Sequence, residues 1–289
     1  VNRHYSWQAH VERYLEVLRP IVARTVAIPR IPPAGRPSLY HDRALFSDLD
    51  QNLLGDPDSL ANFIDVIRDN RKCATFGIAT GRRLDAALRV MKQYGIPQPD
   101  VLITGLGTEI HYAPRLTADY AWTQHIDHLW NRKAVIRILD DLPGIKLQPR
   151  TEQSRYKISF YIDPNLAPGL KEINSLLHQH EQTVSVFLSF GQFLDIVPVR
   201  ASKGFALRWF ADQWEIPLEH MLVAGGSGAD EDMMRGNTMA VVVANRHHEE
   251  LSALTDVERI YFATQPYAAG ILEAIEHYQF FRDCDVKQA

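Results

Sequence analysis

The chain has 289 residues, 46% of them hydrophobic, with a net charge of −4 and a sequence pI near 6.3. That is enough apolar material for one large or two modest globular domains. It excludes a basic field for nucleic acid or an anionic membrane, so any recognition of phosphate has to be local. No apolar run approaches the ~20 residues that span a bilayer, and Arg3, His4 and Trp7 replace a secretory pattern at the start. Two cysteines, Cys73 and Cys284, suggest neither a disulfide framework nor a thiolate metal cluster, which fits a reducing cytoplasm.

In chain order, Tyr5, Val11, Tyr14, Leu15 and Leu18 fall near helical spacing and predict an amphipathic amino-terminal helix. Residues 26–38 hold the proline-rich stretch and read as a linker. Apolar strands near 44–49, 73–79 and 100–104 then alternate with helical patterns near 59–70 and 83–94, which predicts βαβ units and a parallel sheet. The same rhythm resumes from residue 202, with strands near 220–224, 238–243 and 260–263 and helices near 202–214, 248–254 and 268–279. Between them the order changes: helices near 132–141 and 166–179 and strands near 155–162 and 184–190 predict an inserted α+β unit. Tryptophans 122, 130, 209 and 214 are expected to pack in a core or interface rather than to form a stacking platform.

The first apolar strand ends in Phe46-Ser47-Asp48-Leu49-Asp50. In an open α/β sheet this puts Asp48 in the crevice outside the carboxyl edge, and a tight turn lets Asp50 swing back to the same point. Such a pair can hold Mg²⁺, attack a phosphoryl group and move a proton; a capped strand exit accounts for the same residues without chemistry. The next strand ends in Thr80-Gly81-Arg82, where a hydroxyl and free N–H groups can bind phosphate oxygens or Thr80 can simply cap a helix. Lys203 opens a later helix, either as a phosphate ligand or as a solvated lysine. Lys157, Ser159 and Tyr161 alternate on one strand face, suited to sugar hydroxyls or to solvent. The histidines, His247-His248 included, lack zinc-ligand spacing.

Taken in order, Asp48-Leu49-Asp50, Thr80, Lys203 and the loop Gly225-Gly226-Ser227-Gly228-Ala229-Asp230 resemble the four motifs of the haloacid dehalogenase-like phosphatases. Ile78-Ala79-Thr80-Gly81-Arg82, Arg155-Tyr156-Lys157, Leu194-Asp195-Ile196-Val197-Pro198 and Ala269-Gly270-Ile271-Leu272-Glu273 narrow the resemblance to sucrose-phosphate phosphatase, over about residues 42–283. Gly-Gly-Ser-Gly-Ala-Asp-Glu-Asp-Met-Met is similar to the phosphatase-like domain fused behind bacterial sucrose-phosphate synthase. The resemblance implies a Rossmann-like α/β core over 41–116 and 195–289 and an α+β cap over 117–194. Residues 1–40 would be a helix and linker left from a glycosyltransferase domain, and the start at Val1 without methionine agrees with a fragment or a processed chain.

For function, the resemblance implies Mg²⁺-dependent hydrolysis of sucrose 6-phosphate through an aspartyl-phosphate. Asp48 would be the nucleophile, Asp50 the acid and base, and Thr80 and Lys203 the phosphoryl anchors. Gly81, Arg82, Lys157 and Asn245 would bind substrate, and Asp48, Asp50 through its carbonyl and Asp230 through a water would hold the metal. Active relatives usually carry Gly-Asp-Ser-Gly-Asn-Asp in the fourth motif, so Gly226 and Ala229 depart from the pattern and imply weaker metal binding. The alternative is a sugar-phosphate-binding or regulatory domain of a sucrose-phosphate synthase. Glu231 and Asp232 either replace the missing carboxylate or suit the first turn of the following helix.

Overall fold

The computed structural model describes residues 41–247 and 259–282, together with residues 11, 13–16, 251, 254 and 257. The chain divides into Val1–Ser38 and Leu39–Ala289. In the first unit the described residues are helical, with Val11, Tyr14 and Leu15 exposed. The remainder of the expected helix, the linker and most of the expected 248–254 helix lie outside the described residues.

The second unit is built on an eight-stranded sheet. Its first half comprises β1 (Ala44–Ser47), α1 (Pro57–Asn70), β2 (Thr75–Ala79), α2 (Leu84–Gln93), β3 (Val101–Thr104), β4 (Glu109–Tyr112), β5 (Thr117–Ala118) and α3 (Tyr120–Ile126). A smaller unit follows, with α4 (Arg132–Asp140), β6 (Ile145–Leu147), β7 (Ile158–Ile162), α5 (Leu170–Gln179), β8 (Val184–Ser189) and β9 (Phe193–Pro198). The chain then returns through α6 (Lys203–Trp214), β10 (Met221–Gly225), α7 (Glu231–Met234), β11 (Met239–Val242), β12 (Ile260–Phe262) and α8 (Tyr267–His277).

Strands β1–β3 and β10–β12 run parallel, and β4 and β5 add an antiparallel edge. All four residues of β1 are buried, as expected for a strand covered on both faces. Helix α1 shows how the sequence fixes its partner: Asp56 accepts from Ser59 N at 3.0 Å, Pro57 occupies the first turn, and Leu60, Phe63, Ile64 and Ile67 form the buried stripe. A Cβ at Gly77 of β2 would lie 2.1 Å from the Phe46 ring, so the neighbouring strand leaves room for that side chain. The chain proceeds outward from β1 in one direction through β2 and β3 and in the other through β10, β11 and β12. That is a topological switch point, where the carboxyl ends of the strands open a crevice.

The smaller sheet is antiparallel, of order β6-β7-β9-β8, over its own apolar cluster of Val135, Leu139, Ile158, Phe160, Ile173 and Leu194. Its edges differ from the expected 117–194. Strand β5 pairs within the large sheet, Trp122 and Ile126 of α3 pack in the large core, and β9 keeps the chain in the smaller sheet to Pro198. Trp122 is fully buried, and Trp130, Trp209 and Trp214 pack against the same cluster. Cys73 lies in the turn before β2 rather than in the strand and is disulfide-bonded, contrary to expectation, which removes the cysteine-based support for a reducing compartment. Among the described residues no helix is long and apolar enough to cross a membrane.

Candidate active site

Asp48 directly follows β1. Its N–H continues the sheet pattern to the Ala224 carbonyl at 3.1 Å, and its Oδ1 accepts from Leu49 N at 2.7 Å. The following turn is closed by Leu54 N on the Leu49 carbonyl at 3.0 Å, with Gln51 at φ +56°. This bend returns Asp50 to the crevice, where its carboxylate takes two bonds from Arg82, at 2.8 Å from Nε and 2.7 Å from Nη2. Arg82 follows β2, beyond the fully buried Thr80, whose Oγ1 accepts from Arg82 N at 3.2 Å.

Lys203 begins α6, whose N-cap Ser202 accepts from Phe205 N at 2.9 Å. The lysine is 1% exposed and serves two carboxylates, with Nζ 3.1 Å from Asp48 Oδ1 and 2.6 Å from Asp230 Oδ1. Burial pushes the Asp48 carboxyl up to about 7; Lys203 opposes that shift, and Asp230 and Asp50 add to it. Burial works against the charge on Lys203, but Asp230 and Asp48 outweigh it and raise its pKa.

Asp230 is wholly buried and faces inward. Its other oxygen accepts from Gly226 N, Ser227 N and Ser227 Oγ, each at 3.0 Å. A Cβ at Gly225 would lie 2.4 Å from the Asp230 Cβ, so this fold-back depends on glycine at 225. Glu231 instead pairs with Arg235, and Asp232 accepts from Gly204 N at 3.0 Å. Both serve helix ends, and neither lines the crevice.

The crevice has a volume of about 380 Å³. Asp48, Asp50, Gly81, Arg82 and Lys203 line it from the large sheet, and Lys157, Asp195 and Gln148 from the smaller unit. Lys157 precedes β7 and is buried, with Nζ 2.7 Å from Ser159 Oγ and 3.3 Å from Asp195 Oδ1. Ser159 turns to the same carboxylate, whereas Tyr161 is 43% exposed. Asn245 stands outside the lining: its Nδ2 donates to the Gln51 carbonyl and its Oδ1 accepts from Tyr267 N, both at 2.8 Å. It braces the turn after β1 against the start of α8.

Sequence reasoning assigned no role to Asp195 or Asn52. The signal for Asp195 was a carboxylate inside the apolar run Leu194 to Pro198. Asn52 is 1% exposed, donates to the Asp50 carbonyl at 3.1 Å, and has a buried Oδ1 without a hydrogen-bond partner.

The Asp48, Asp50 and Asp230 carboxylates do not converge on one point, although the expected set draws on the Asp50 carbonyl rather than on its side chain. Among the described residues no three Asp, Glu, His or Cys side chains group as a metal site. The reason is local pairing: Asp50 is drawn to Arg82, and Asp230 to Lys203 and its own loop. The remaining donors, the Asp48 carboxylate, the Asp50 carbonyl and the unpaired Asn52 oxygen, are all oxygens, a chemistry that fits a hard cation such as Mg²⁺.

A mainly parallel sheet with carboxylates at the end of β1 and a buried lysine from α6 defines a haloacid dehalogenase-like protein. Chains of that class share the fold at low identity: a haloacid dehalogenase-like hydrolase protein from Bacillus subtilis superposes with a TM-score of 0.59 at 15% identity, over 84% of this chain and 94% of that one. The chain belongs to the sucrose-6F-phosphate phosphohydrolase family, whose model matches residues 41–279. It is 30% identical over 241 residues to mannosylfructose-phosphate phosphatase from Agrobacterium fabrum, covering 82% of this chain and 96% of the relative. A probable sucrose-phosphatase from Arabidopsis thaliana is 29% identical over 83% of this chain, which spans 60% of that longer plant protein. The crystal structure of the sucrose-phosphatase from Synechocystis sp. PCC6803 with sucrose and phosphate aligns with a TM-score of 0.79 at 30% identity, over 83% of this chain and 98% of that one.

Proposed function

We propose that the chain hydrolyses the phosphate monoester of a sucrose-like disaccharide, with sucrose 6-phosphate the first candidate substrate. The observation that carries this reading is Lys203 Nζ 3.1 Å from Asp48 Oδ1 at the floor of a crevice whose far side is polar. Asp48 attacks phosphorus, the P–O bond to the sugar breaks, and the departing oxygen takes a proton from Asp50. Water then attacks the aspartyl-phosphate, returning its proton to Asp50 and releasing phosphate. Lys203 faces the oxygens on which charge gathers, and Thr80, sealed behind the crevice, would reach them only by turning its hydroxyl away from Arg82 N. Asp50 leaves Arg82 to carry its proton, and Arg82 is then available to the phosphate.

A divalent cation held by Asp48 and the Asp50 carbonyl would neutralise charge on the transferring group. The four-stranded unit acts as a cap, offering Lys157 and Asp195 to the sugar and excluding water. A second reading, a domain of a sucrose-phosphate synthase that binds sugar phosphate without turning it over, is favoured by one observation: Gly226 supplies no carboxylate.

The test is phosphate release from sucrose 6-phosphate at saturating Mg²⁺, for the parent, Asp48→Asn and Gly226→Asp. Release abolished by Asp48→Asn supports hydrolysis. A silent parent that gains turnover with Gly226→Asp supports the binding domain.

A further inference from the structure

We propose that the amide oxygen of Asn52 is a ligand to the divalent cation of this site, in place of the carboxylate that Gly226 does not supply. The proposal rests on the phosphate-handling reading of the crevice but not on turnover.

Three observations meet at Asn52. Its side chain is sealed in the turn that follows Asp48 and Asp50, at 1% exposure. Its Oδ1 is buried without a hydrogen-bond partner, so the single Nδ2 bond is all that holds the amide in its present orientation. The amide also borders the place of the missing side chain: a Cβ built on Gly226 would meet Val243 Cγ2 at 3.1 Å and Asn52 Nδ2 at 3.6 Å. The same amide nitrogen is 3.1 Å from the Asp50 carbonyl oxygen.

A half-turn of the amide exchanges its oxygen and nitrogen, setting Oδ1 beside the Asp50 carbonyl. Two oxygens so placed repel unless a cation lies between them, and neighbouring oxygens around Mg²⁺ stand about 3 Å apart. Asn52, in the turn after β1, and Gly226, just past β10, thus form a complementary pair, with a side-chain oxygen available beside the place where a carboxylate is missing. The exchange keeps an oxygen donor but removes one negative charge from the site.

The experiment is Mn²⁺ binding to the whole chain without substrate, followed by electron paramagnetic resonance and calorimetry. The parent should bind one Mn²⁺. Asn52→Leu, which keeps the volume and deletes the oxygen, should weaken binding by at least about tenfold, the scale on which even outer partners of a metal site act. Asn52→Asp should tighten it by a comparable factor, and this variant decides the matter if Asn52→Leu does not fold. Unchanged affinity in Asn52→Leu, no gain in Asn52→Asp, or a parent that binds no Mn²⁺ overturns the proposal. A parent that binds Mn²⁺ through Asn52 yet releases no phosphate refutes the hydrolytic reading alone.

Discussion

Lys203 Nζ and Asp230 Oδ1 lie 2.6 Å apart with both side chains sealed from solvent, and the same ammonium reaches Asp48 at 3.1 Å. One cation therefore compensates two buried carboxylates. Lys203→Met should lower stability at pH 8 by about 3–5 kcal/mol, the usual result of stripping a buried pair of one partner. The deficit should shrink at pH 5, where Asp48 is protonated. Urea unfolding at the two pH values checks this, and a loss independent of pH would exclude Asp48 as a contributor.

Asp48 itself gives a pH signature. Burial first, then Asp230 and Asp50, raise its carboxyl from 3.8 to about 7. A group with a raised folded pKa contributes stability in full below its unfolded value and loses it as pH climbs through the folded one. In metal-free buffer the urea midpoint should thus decline from about pH 4 to about pH 7. Asp48→Asn should remove part of that decline and leave the variant at least as stable as the parent at pH 8. Parallel profiles for the two proteins would contradict the assignment.

Two glycines with positive φ separate local strain from damage to the site. Gly95 has φ +67° with nothing within 4 Å of an added Cβ, so alanine should cost about 1 kcal/mol. Gly107 has φ +84°, and its Cβ would fall 2.0 Å from the Ser202 carbonyl oxygen, next to Lys203. Alanine there should cost about 3 kcal/mol or more and reduce phosphate affinity as well. Thermal melting and phosphate titration of both variants test the contrast.

The far side of the crevice should distinguish sugar from phosphate. Replacing Lys157 with glutamine removes a charged donor beside Asp195 while leaving Lys203 and Arg82 in place. Affinity for sucrose 6-phosphate should fall by about tenfold, in line with a hydrogen bond to a charged group, and affinity for inorganic phosphate should hold. Calorimetric titration with both ligands reads the difference; equal losses would place Lys157 at the phosphate.

The parallel core was legible because its strands are apolar runs ending in Asp48, Thr80 and Gly225, and its helices carry clean stripes such as Leu60, Phe63, Ile64 and Ile67. Lys203 and Asp48 were legible as a pair only through their order in the chain, since the 3.1 Å contact joins residues far apart in sequence. The insertion's edges were less legible. Phe193 to Pro198 alternates too little to announce a strand, and its partner β7 lies a helix and a strand away. The pairing of Asp50 with Arg82 was hidden because either residue alone has several equally good uses. Asn52 left a fainter mark: a polar residue wedged between Leu49 and Leu53 has to satisfy its amide somewhere.

Strand β9 carries Asp195 on the crevice wall and, after a short turn at residues 199–202, the same backbone begins α6 with Lys203. Two charged groups that line the crevice thus lie on one continuous span, with the Ala201 amide hydrogen-bonded to the Pro198 carbonyl at 2.8 Å across the joint. The molecule works here as a caliper whose jaws share a single arm. Covalent continuity limits how far the jaws can part, and a tilt of the smaller sheet has only the four residues 199–202 in which to be absorbed before it reaches the lysine.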